Sequence, residues 1–477
     1  MIGCHPPAAP AHPGPPPVIL VSIDTLRADR VGAYGNPQGL TPNLDRFAQQ
    51  AVVFDSAYSQ AAQTGPSHGS IFSSRYPSQQ TNLTDDTVLD PTHATLAEML
   101  QAYGYQTAGF VSGGDLSPSR HLDRGFTTYE SVVNFGSLYH TGPRSLAWLD
   151  TIDQSKPWFL FVHGYDTHST YLKPTPFGCL YADPRATGPG EIAARTMTER
   201  IVDRTLAPNA QPLRALEVSL LRPWAPENRQ AREEVLVQGE PPVVVSDADI
   251  AYIRGVYDGA VSYADAMFGT LMVGLESRGV LDQAVIVVMS DHGEQLGEHG
   301  AFGHSYGLDD EETHTVLIVR LPHGEHGGRH VAGLVEMLDI LPTIASLVGA
   351  TPPAGIDGHT LAPALADQPF VGRQYAHSTG NHLQRMASVR SEAGRLTWSG
   401  LFAGSPLFAS ITEYTRVDGP GFASSPGLAA QGRDALRAEM VRWARELDPP
   451  PDTAEAEPMP AELRQSLREH GYFEVTP

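Results

Sequence analysis

The sequence predicts an α/β fold with a mostly parallel central sheet that is covered by helices on both faces. The first observation is that short, predominantly apolar runs such as VILVSI (residues 18–23) alternate with segments of helical periodicity. The second is that these runs lack the polar alternation of half-exposed strands, as expected when both faces of a sheet are buried. The third is that several runs end in aspartate or histidine, which suits ligand sites at the carboxyl ends of parallel strands.

The N-terminal elements follow from local signals. VILVSI lies just after a proline break and predicts a buried strand, which ends at Asp24. TPNLDRFAQQA predicts a helix with Thr41 as the N-cap and Pro42 at the first helical position. ATLAEMLQAYG predicts a second amphipathic helix that ends at Gly104, and YQTAGFVS predicts the strand that follows.

The later elements repeat this alternation. PWFLFVHGYD is an apolar run that turns polar at its end, and AVIVVMSDHGE and TVLIVRLP predict two further buried strands. DIAYIRGVYDGAVSYADAMFGTLMVGLESRG predicts a long helix, and EMLDILPTIASLVG predicts a shorter one. Alternating strands and helices of this kind predict crossover connections within one sheet.

Changes in composition divide the chain into predicted parts. Residues 1–17 form a Pro-rich leader or tether, and residues 18–369 form the predicted catalytic domain. Within that domain, residues 175–247 break the α/β pattern with PTPFG, PRATGPGE and RPWAPENR, which indicates an inserted lid or binding element. Residues 370–477 predict a small α+β lobe with a hairpin in RMASVRSEAGRLTWSG and two helices.

Net charge limits the partners of the protein. The 477 residues carry a formal charge of −22, from 54 acidic and 32 basic residues. Such a surface repels nucleic acid and anionic membranes. We therefore expect no nucleic-acid partner, and an anionic substrate needs local positive charge from a metal ion or histidines. No run of about eighteen apolar residues predicts a transmembrane helix.

The cysteines carry little information about structure but raise one question of location. Only Cys4 and Cys179 are present, so a disulfide framework is excluded. Ile2-Gly3-Cys4 resembles the end of a bacterial lipoprotein signal, although the charged and apolar regions that should precede it are missing. Either Cys4 is lipidated and the protein belongs to the bacterial envelope or periplasm, or the tripeptide is a chance match and the location is cytoplasmic.

Five blocks of the sequence carry candidate site residues. They are, in chain order, ILVSIDTLRADRVGAYG with TPNLDRFAQQAVVFDSAYSQ, TGPSHGSIFSSRYPS, FLFVHGYDTHSTY, MSDHGEQLGEHGAFGH and DILPTIASLVGATPPAGIDGHTL. In content, order and spacing, these blocks resemble the sulfatase family of the alkaline phosphatase superfamily. The resemblance covers roughly residues 18–365 and implies an alkaline phosphatase-like sandwich. It says less about the substrate, because the superfamily includes sulfatases, phosphodiesterases, phosphonate monoester hydrolases and phospho-group transferases.

The resemblance implies one divalent metal ion, held by Asp24, Asp291, His292 and the Thr64 hydroxyl. Many sulfatases have Asp-Asp at the first strand end and Asp-Asn at the later one, whereas this chain has Asp24-Thr25 and Asp291-His292. Fewer carboxylates and one imidazole favour Mn or Zn, with Ca or Mg as alternatives. Taken alone, Asp24 also fits a helix N-cap.

The nucleophile position departs from the sulfatase pattern. Sulfatases carry Cys-x-Pro-x-Arg, whose cysteine becomes formylglycine, and the matching residues here are Thr64, Pro66 and His68. Formylglycine cannot form from a threonine by the usual route, so the resemblance implies covalent phosphoryl chemistry on Thr64. The segment that follows predicts a helix whose N-terminus favours an anion. The alternatives are that Thr64 is only the N-cap, or that Ser67 is the nucleophile.

Three histidines are candidate substrate contacts. His68 replaces the family's arginine and either orients Thr64 and touches the oxyanion, or is only a capping or surface residue. His168 matches the histidine of the family's Asp-Pro-His block. His304 lies where related hydrolases place a lysine, and is expected to contact the oxyanion or protonate the leaving group.

The sequence thus predicts a metal-dependent hydrolase of phosphate or sulfate esters, with phosphodiester or phosphonate monoester hydrolysis favoured by Thr64. The substrate is expected to be a small anionic ester, which could belong to a glycan or lipid. Three alternatives stay open: a sulfatase, an envelope transferase of the phosphoethanolamine or glycerol-phosphate type, and a non-catalytic member that only binds an anion.

Overall fold

The computed structural model describes residues 14–80, 88–169, 171–182, 234–235, 243–244, 247–298, 302–305, 307–380, 386–399, 417–418 and 434–443. Cys4, most of the predicted 175–247 insertion and the last predicted helix lie outside these residues.

A nine-stranded sheet forms the centre of the fold. The strands are β1 (Val18–Ile23), β2 (Val52–Tyr58), β3 (Gln106–Val111), β4 (Thr128–Ser131), β5 (Trp158–Gly164), β6 (Val285–Met289), β7 (His314–Thr315), β8 (Leu317–Arg320) and β9 (Arg329–Glu336). The middle strands lie in the order β2-β8-β6-β1-β5-β3-β4, with β7 and β9 pairing with β2. Pairing is parallel among β6, β1, β5, β3 and β4, whereas β8 runs antiparallel to both β6 and β2.

Helices cover both faces of this sheet, as predicted. They are α1 (Pro42–Ala48), α2 (Thr64–Ser73), α3 (Leu96–Ala102), α4 (Leu138–Leu149), α5 (Asp247–Ser277), α6 (Asp310–Thr313), α7 (Ile340–Val348) and α8 (Ala362–Leu365). Successive residues of β1 point to opposite faces, so Ile19 and Val21 join one core while Leu20 joins the other. The first core packs under α1, α4 and α5, and the second packs under α2, α3 and α7.

Most predicted elements are confirmed. VILVSI is the whole of β1, and α5 spans Asp247–Ser277 where the long helix was expected. Helix α1 begins at Pro42 after Thr41, and α3 ends just before Gly104, whose φ of +83° explains why glycine follows that helix. Strands β2, β4 and β9 and helix α4 are among the elements that were not predicted from the sequence, and the antiparallel direction of β8 was not predicted either.

The C-terminal residues form a small antiparallel sheet. Its strands are β10 (Ala376–Gly380), β11 (Met386–Ser391), β12 (Gly394–Ser399) and β13 (Val417–Asp418). Strands β11 and β12 are the predicted hairpin. Residues 434–443 are helical and contribute Leu436, Met440 and Trp443 to a core shared with Tyr76 and Leu338. The domain division made from the sequence stays a prediction.

Candidate metal and ester-binding site

The candidate site lies at the carboxyl ends of three neighbouring parallel strands. Strand β1 lies between β6 and β5, so the residues that follow β1 and β6 meet at one edge of the sheet. Asp24 follows β1 directly, and its N–H donates to the Gly164 carbonyl at the end of β5. Asp291 and His292 follow β6. The fold therefore brings together side chains that are more than 260 positions apart in the sequence.

Asp24, Asp291 and His292 form a compact, fully buried cluster. One donor atom from each lies within 4.8 Å of the others, and all three side chains are inaccessible to solvent. Asp24 Oδ1 and Asp291 Oδ2 have no hydrogen-bond partner among the described residues. Two buried carboxylates with unsatisfied oxygens are costly unless a cation compensates them. The donor set of two carboxylates and one imidazole fits a divalent ion such as Mn or Zn.

The histidine of this cluster is oriented as a ligand should be. His292 Nδ1 lies 2.9 Å from the Gly293 carbonyl, which fixes the proton on Nδ1 and presents the lone pair of Nε2 to the carboxylates. Burial lowers the pKa of His292 to about 4, which keeps the imidazole neutral. Burial, reinforced by the charge of Asp291, raises the pKa of Asp24 well above its ordinary value. Both effects are those of a site that needs a cation.

Thr25, which stands where many sulfatases have a second aspartate, plays a backbone role. Its φ is +56°, which is uncommon for a residue other than glycine and strained for a β-branched one. In this conformation its N–H donates to Asp291 Oδ1 at 3.2 Å, while its hydroxyl lies 3.4 Å from the Thr167 hydroxyl. The strained residue thus holds a carboxylate of the cluster in place.

Thr64 is the first residue of α2, and its hydroxyl lies against the cluster. Thr64 Oγ1 donates to Asp24 Oδ2 at 2.9 Å and lies 3.4 Å from His292 Nε2. Gln63 occupies the N-cap position, so Thr64 is inside the helix rather than its cap. Ser67 is engaged elsewhere, because its hydroxyl donates to the Asp291 carbonyl at 2.8 Å. Of these two hydroxyls, only that of Thr64 hydrogen-bonds to a carboxylate oxygen of the cluster.

His68 lies behind the nucleophile position and is completely buried. Its Nδ1 lies 2.9 Å from the Thr64 carbonyl, and its Nε2 lies 3.0 Å from the Ser22 hydroxyl. A neutral ring that donates from Nδ1 and accepts at Nε2 satisfies both contacts, and burial lowers the pKa of His68 accordingly. His68 therefore contacts the backbone of Thr64 rather than its hydroxyl, and Nδ1 lies 3.6 Å from Asp291 Oδ2.

A row of imidazoles extends from the cluster. The ring of His304 lies 4.6 Å from that of His292 and 5.1 Å from that of His168, measured between centroids. His304 Nδ1 lies 3.0 Å from Glu294 Oε1. Burial alone would lower the pKa of His304, but the charge and hydrogen bond of Glu294 outweigh it and raise that pKa. Three of the histidines predicted from sequence are thus brought together.

Sequence reasoning missed Glu294 and Ser22, which contact His304 and His68. A usable signal for Glu294 was its place in DHGE, two residues beyond the metal pair, where a strand end delivers polar side chains to the same edge. His163 is a further buried histidine of the site, and its Nε2 lies 3.5 Å from Asp24 Oδ2. Asp166 accepts a hydrogen bond from the N–H of Leu138 at the start of α4, so the Asp166 carboxylate has a structural role.

Comparisons with known proteins agree with this geometry. Residues 16–350 match the family profile described as Sulfatase. The multifunctional alkaline phosphatase superfamily protein PehA of Trinickia caryophylli is 24% identical over 414 residues, which cover 73% of this chain and 77% of that protein. An N-acetylglucosamine-6-O-sulfatase of Bacteroides thetaiotaomicron is 24% identical over 408 residues, covering 74% of this chain and 71% of that protein.

Solved structures share the fold. The phosphonate monoester hydrolase of Agrobacterium radiobacter superposes with a TM-score of 0.60 at 20% identity, covering 80% of this chain and 87% of that chain. Identity at this level is evidence for the fold alone, and the predicted alkaline phosphatase-like sandwich is confirmed. Among the described residues, no helix combines the length and apolar character that crossing a membrane requires.

Proposed function

The chain belongs to the sulfatase family of the alkaline phosphatase superfamily, a family of metal-dependent ester hydrolases, and we propose that it cleaves phosphodiesters or phosphonate monoesters through a covalent intermediate on Thr64. The observation that carries the proposal is the position of the Thr64 hydroxyl, 2.9 Å from Asp24 Oδ2 at the N-terminus of a helix. A threonine at this position favours phosphoryl over formylglycine-dependent sulfate chemistry.

Asp24, Asp291 and His292 would hold one divalent ion, with the Thr64 hydroxyl as the fourth predicted ligand. When bound, such an ion lowers the pKa of a hydroxyl and takes up charge that develops on a transferring group. The unsatisfied carboxylate oxygens of Asp24 and Asp291 support this role, and the imidazole favours Mn or Zn over Ca.

The chain's own residues supply position and proton transfer. The hydrogen bond from Thr64 to Asp24 Oδ2 directs the hydroxyl oxygen, and the N-terminus of α2 offers backbone N–H groups to the anionic ester. Thr64 Oγ1 gives its proton to Asp24 Oδ2 and forms a bond to phosphorus, the bond from phosphorus to the leaving oxygen breaks, and His304 gives that oxygen a proton. Water then attacks phosphorus, the bond from phosphorus to Oγ1 breaks, and Oγ1 takes a proton back from Asp24. His168 and His304 contact the transferring group, and His68 fixes the backbone of Thr64.

The relatives also support one alternative substrate class. The similarity to an N-acetylglucosamine-6-O-sulfatase supports sulfate esters of a glycan as a second candidate substrate class. The two classes differ in what they require of residue 64, because sulfate chemistry in this family uses formylglycine. Substitution of Thr64 therefore tests the choice.

The test compares wild type with Thr64→Ala and Thr64→Ser after loading with Mn or Zn. Substrates are bis(4-nitrophenyl) phosphate, 4-nitrophenyl phenylphosphonate and 4-nitrophenyl sulfate. We expect Thr64→Ala to lower kcat for the phosphorus esters by about 10³-fold or more, and Thr64→Ser to keep a larger share because it retains a hydroxyl. Acid quenching followed by peptide mass spectrometry should find the adduct on the peptide that contains Thr64.

Ser70→Ala is the matched control, since Ser70 is a buried hydroxyl on the same helix that accepts a hydrogen bond from Gln80. Its kcat should stay close to wild type. Turnover of the sulfate ester that persists in Thr64→Ala would overturn the assignment of the nucleophile. Absence of both turnover and metal uptake in the wild type would favour a protein that only binds anions.

A further inference from the structure

Glu294 is a buried carboxylate that no step of the proposed reaction has used. Its side chain is inaccessible to solvent, and Oε1 lies 3.0 Å from His304 Nδ1. Oε2 has no hydrogen-bond partner among the described residues. A buried carboxylate is costly unless it is paired, so the 3.0 Å contact with His304 points to a specific role for this pair. The ring of His304 in turn lies next to those of His292 and His168.

The backbone fixes Glu294 from two sides. Its N–H donates to the Glu311 carbonyl at 2.8 Å, and its carbonyl accepts from the Arg27 guanidinium at 3.0 Å. Arg27 is itself buried and pairs with Asp29 and Glu298. Glu294 is thus tied both to the segment that follows β1 and to the residues of α6. A rigidly held carboxylate can orient a neighbouring ring because its own position does not vary.

We infer that Glu294 is the positioning residue that keeps the proton of His304 on Nδ1 and directs Nε2 toward the leaving group of the ester. Nδ1 is occupied by the carboxylate, so contact with a substrate falls to Nε2. The inference rests on the proposed function, in which His304 gives a proton to the leaving oxygen. As the bond from phosphorus to that oxygen breaks, the protonated ring gives its Nε2 proton to the oxygen, and His304 becomes neutral with its Nδ1–H still bonded to Glu294.

This role has a kinetic signature that damage to the fold would not have. Proton donation matters most for alcohols that are poor leaving groups, and matters little for 4-nitrophenol, which leaves readily as an anion. Loss of the positioning residue should therefore steepen the dependence of kcat on leaving-group pKa. General acid catalysis typically raises the reaction rate about 10²- to 10⁴-fold.

The experiment measures kcat and KM for a series of aryl phenylphosphonates in wild type, Glu294→Gln, His304→Ala and the double variant, all loaded with the same metal. Gln is isosteric, but its amide can present N–H to Nδ1 and so favour the wrong tautomer. We expect Glu294→Gln to lower kcat about 100-fold for the phenyl ester and less than about 10-fold for the 4-nitrophenyl ester. The double variant should be no slower than His304→Ala, because both changes remove one function.

Glu336→Gln is the matched control. Glu336 is another fully buried glutamate, and it accepts hydrogen bonds from the Tyr76 hydroxyl and from the backbone N–H of His377. We expect the slope against leaving-group pKa to stay at its wild-type value in this variant. Equal losses for all leaving groups in Glu294→Gln, or a fall in metal content measured by mass spectrometry, would overturn the inference in favour of a structural role.

A second measurement needs no turnover. Nitrogen-15 NMR of histidine-labelled protein, with His304 assigned by its substitution, reports which ring nitrogen carries the proton. At a pH where the ring is neutral, wild type should carry its remaining proton on Nδ1, and Glu294→Gln should show a changed tautomer; an unchanged spectrum would overturn the inference. If the phosphorus esters fail as substrates while a nitrophenyl sulfate is cleaved, the proposed function fails, yet aryl sulfates and the NMR spectrum still test Glu294.

Discussion

Two buried clusters of charge lie near opposite ends of α2 and differ in how completely they are satisfied. At the N-terminal end, Thr64 touches the metal cluster, defined as Asp24, Asp291 and His292, where two carboxylate oxygens have no hydrogen-bond partner among the described residues. Just beyond the C-terminal end, Tyr76 enters a cluster that we call the lobe clamp. Its members are Tyr76, Glu336, Asp339, Arg373, His377 and Glu439.

The lobe clamp compensates its charges internally. Glu336 accepts hydrogen bonds from the Tyr76 hydroxyl at 2.9 Å and from the backbone N–H of His377 at 2.7 Å. It also forms an ion pair with Arg373 at 3.0 Å. Arg373 also pairs with Asp339, and His377 Nε2 lies 2.9 Å from Glu439 in the helix over residues 434–443. The clamp thus ties the C-terminal end of α2 to the C-terminal sheet and to the helix over residues 434–443.

The pKa shifts express the same difference. Burial favours the neutral form of both acids, but in the clamp Arg373 and His377 overcome it and lower the pKa of Glu336. In the metal cluster, burial and a second carboxylate raise the pKa of Asp24, whereas the neighbouring histidines outweigh burial and lower the pKa of Asp291 to about 2. Complete internal pairing indicates a structural role, and incomplete pairing indicates a ligand. Neutralising one acid in each cluster should therefore change stability in opposite directions.

The largest effect on stability is expected at the clamp. Glu336→Gln leaves Arg373 with one carboxylate partner fewer and removes an acceptor for Tyr76 and His377. Breaking a buried ion pair from one side typically costs about 3–5 kcal/mol, so the melting temperature should fall by several degrees. Calorimetry or circular dichroism measures the change, and kcat per folded molecule should stay close to wild type.

Glu130→Gln provides the comparison for this prediction. Glu130 makes an ion pair with Arg144 at 3.0 Å, but both side chains are about half exposed to solvent. Water screens such pairs, so the same chemical change should have a much smaller effect. If both variants lose equal stability, the clamp is not the element that holds this end of α2.

The next effect is expected at the metal cluster, with the opposite sign. In protein stripped of metal by a chelator, Asp24→Asn relieves the repulsion between two buried carboxylates and should raise stability by about 1 kcal/mol, within the range seen when strained functional sites are relaxed. Wild type should gain about 2.7 kcal/mol from metal at 100 times its dissociation constant, and Asp24→Asn should gain almost nothing. Thermal melts with and without Mn or Zn measure both quantities.

Asp150→Asn serves as the control, because Asp150 pairs with Arg278 at the surface and lies outside the metal cluster. Its melting temperature should rise with metal as that of wild type does. A metal-free Asp24→Asn protein that is less stable than metal-free wild type would contradict the contrast between the two clusters, since Asp24 would then be satisfied as Glu336 is.

The sequence predicted the metal cluster much better than the clamp, and the reason is physical. Asp24 and Asp291 directly follow continuous apolar runs, so the rule that ligands gather at the carboxyl ends of parallel strands brings them together. The clamp depends on Glu336 at the end of β9, a strand with no clear apolar run before its last residues. No periodicity links that residue to His377 or Glu439, which only tertiary packing brings near.

The orientation of the side chains within the site could not be predicted from the sequence either. The sequence suggested His304 and His168 as contacts, yet the Glu294 carboxylate that binds His304 follows from the path of the chain after β6. The left-handed backbone of Thr25 is another case, because a β-branched residue gives no local signal for positive φ. Spacing predicts which strand end a side chain reaches, whereas hydrogen bonds between distant segments decide where its atoms point.

The smallest effect is a pH dependence of the clamp. Burial alone would lower the pKa of His377, but the hydrogen bonds and charges of Glu336 and Glu439 raise it above its ordinary value of about 6.5. A raised pKa in the folded state means that folding favours the protonated ring. The stabilisation is complete below the ordinary pKa and is lost as pH rises through the raised folded-state pKa.

Denaturant melts of wild type and His377→Gln across this pH range measure the contribution as a difference, which cancels other titrating groups. We expect the stability advantage of wild type to be largest at acidic pH and to shrink as the pH increases. Tyr76, whose hydroxyl lies 3.3 Å from His377 Nδ1, keeps its contact with Glu336 in both proteins. A stability difference between the two proteins that is constant or grows with pH would mean that the His377 ring is neutral in the clamp. In that case the charge of His377 would not distinguish the clamp from the metal cluster.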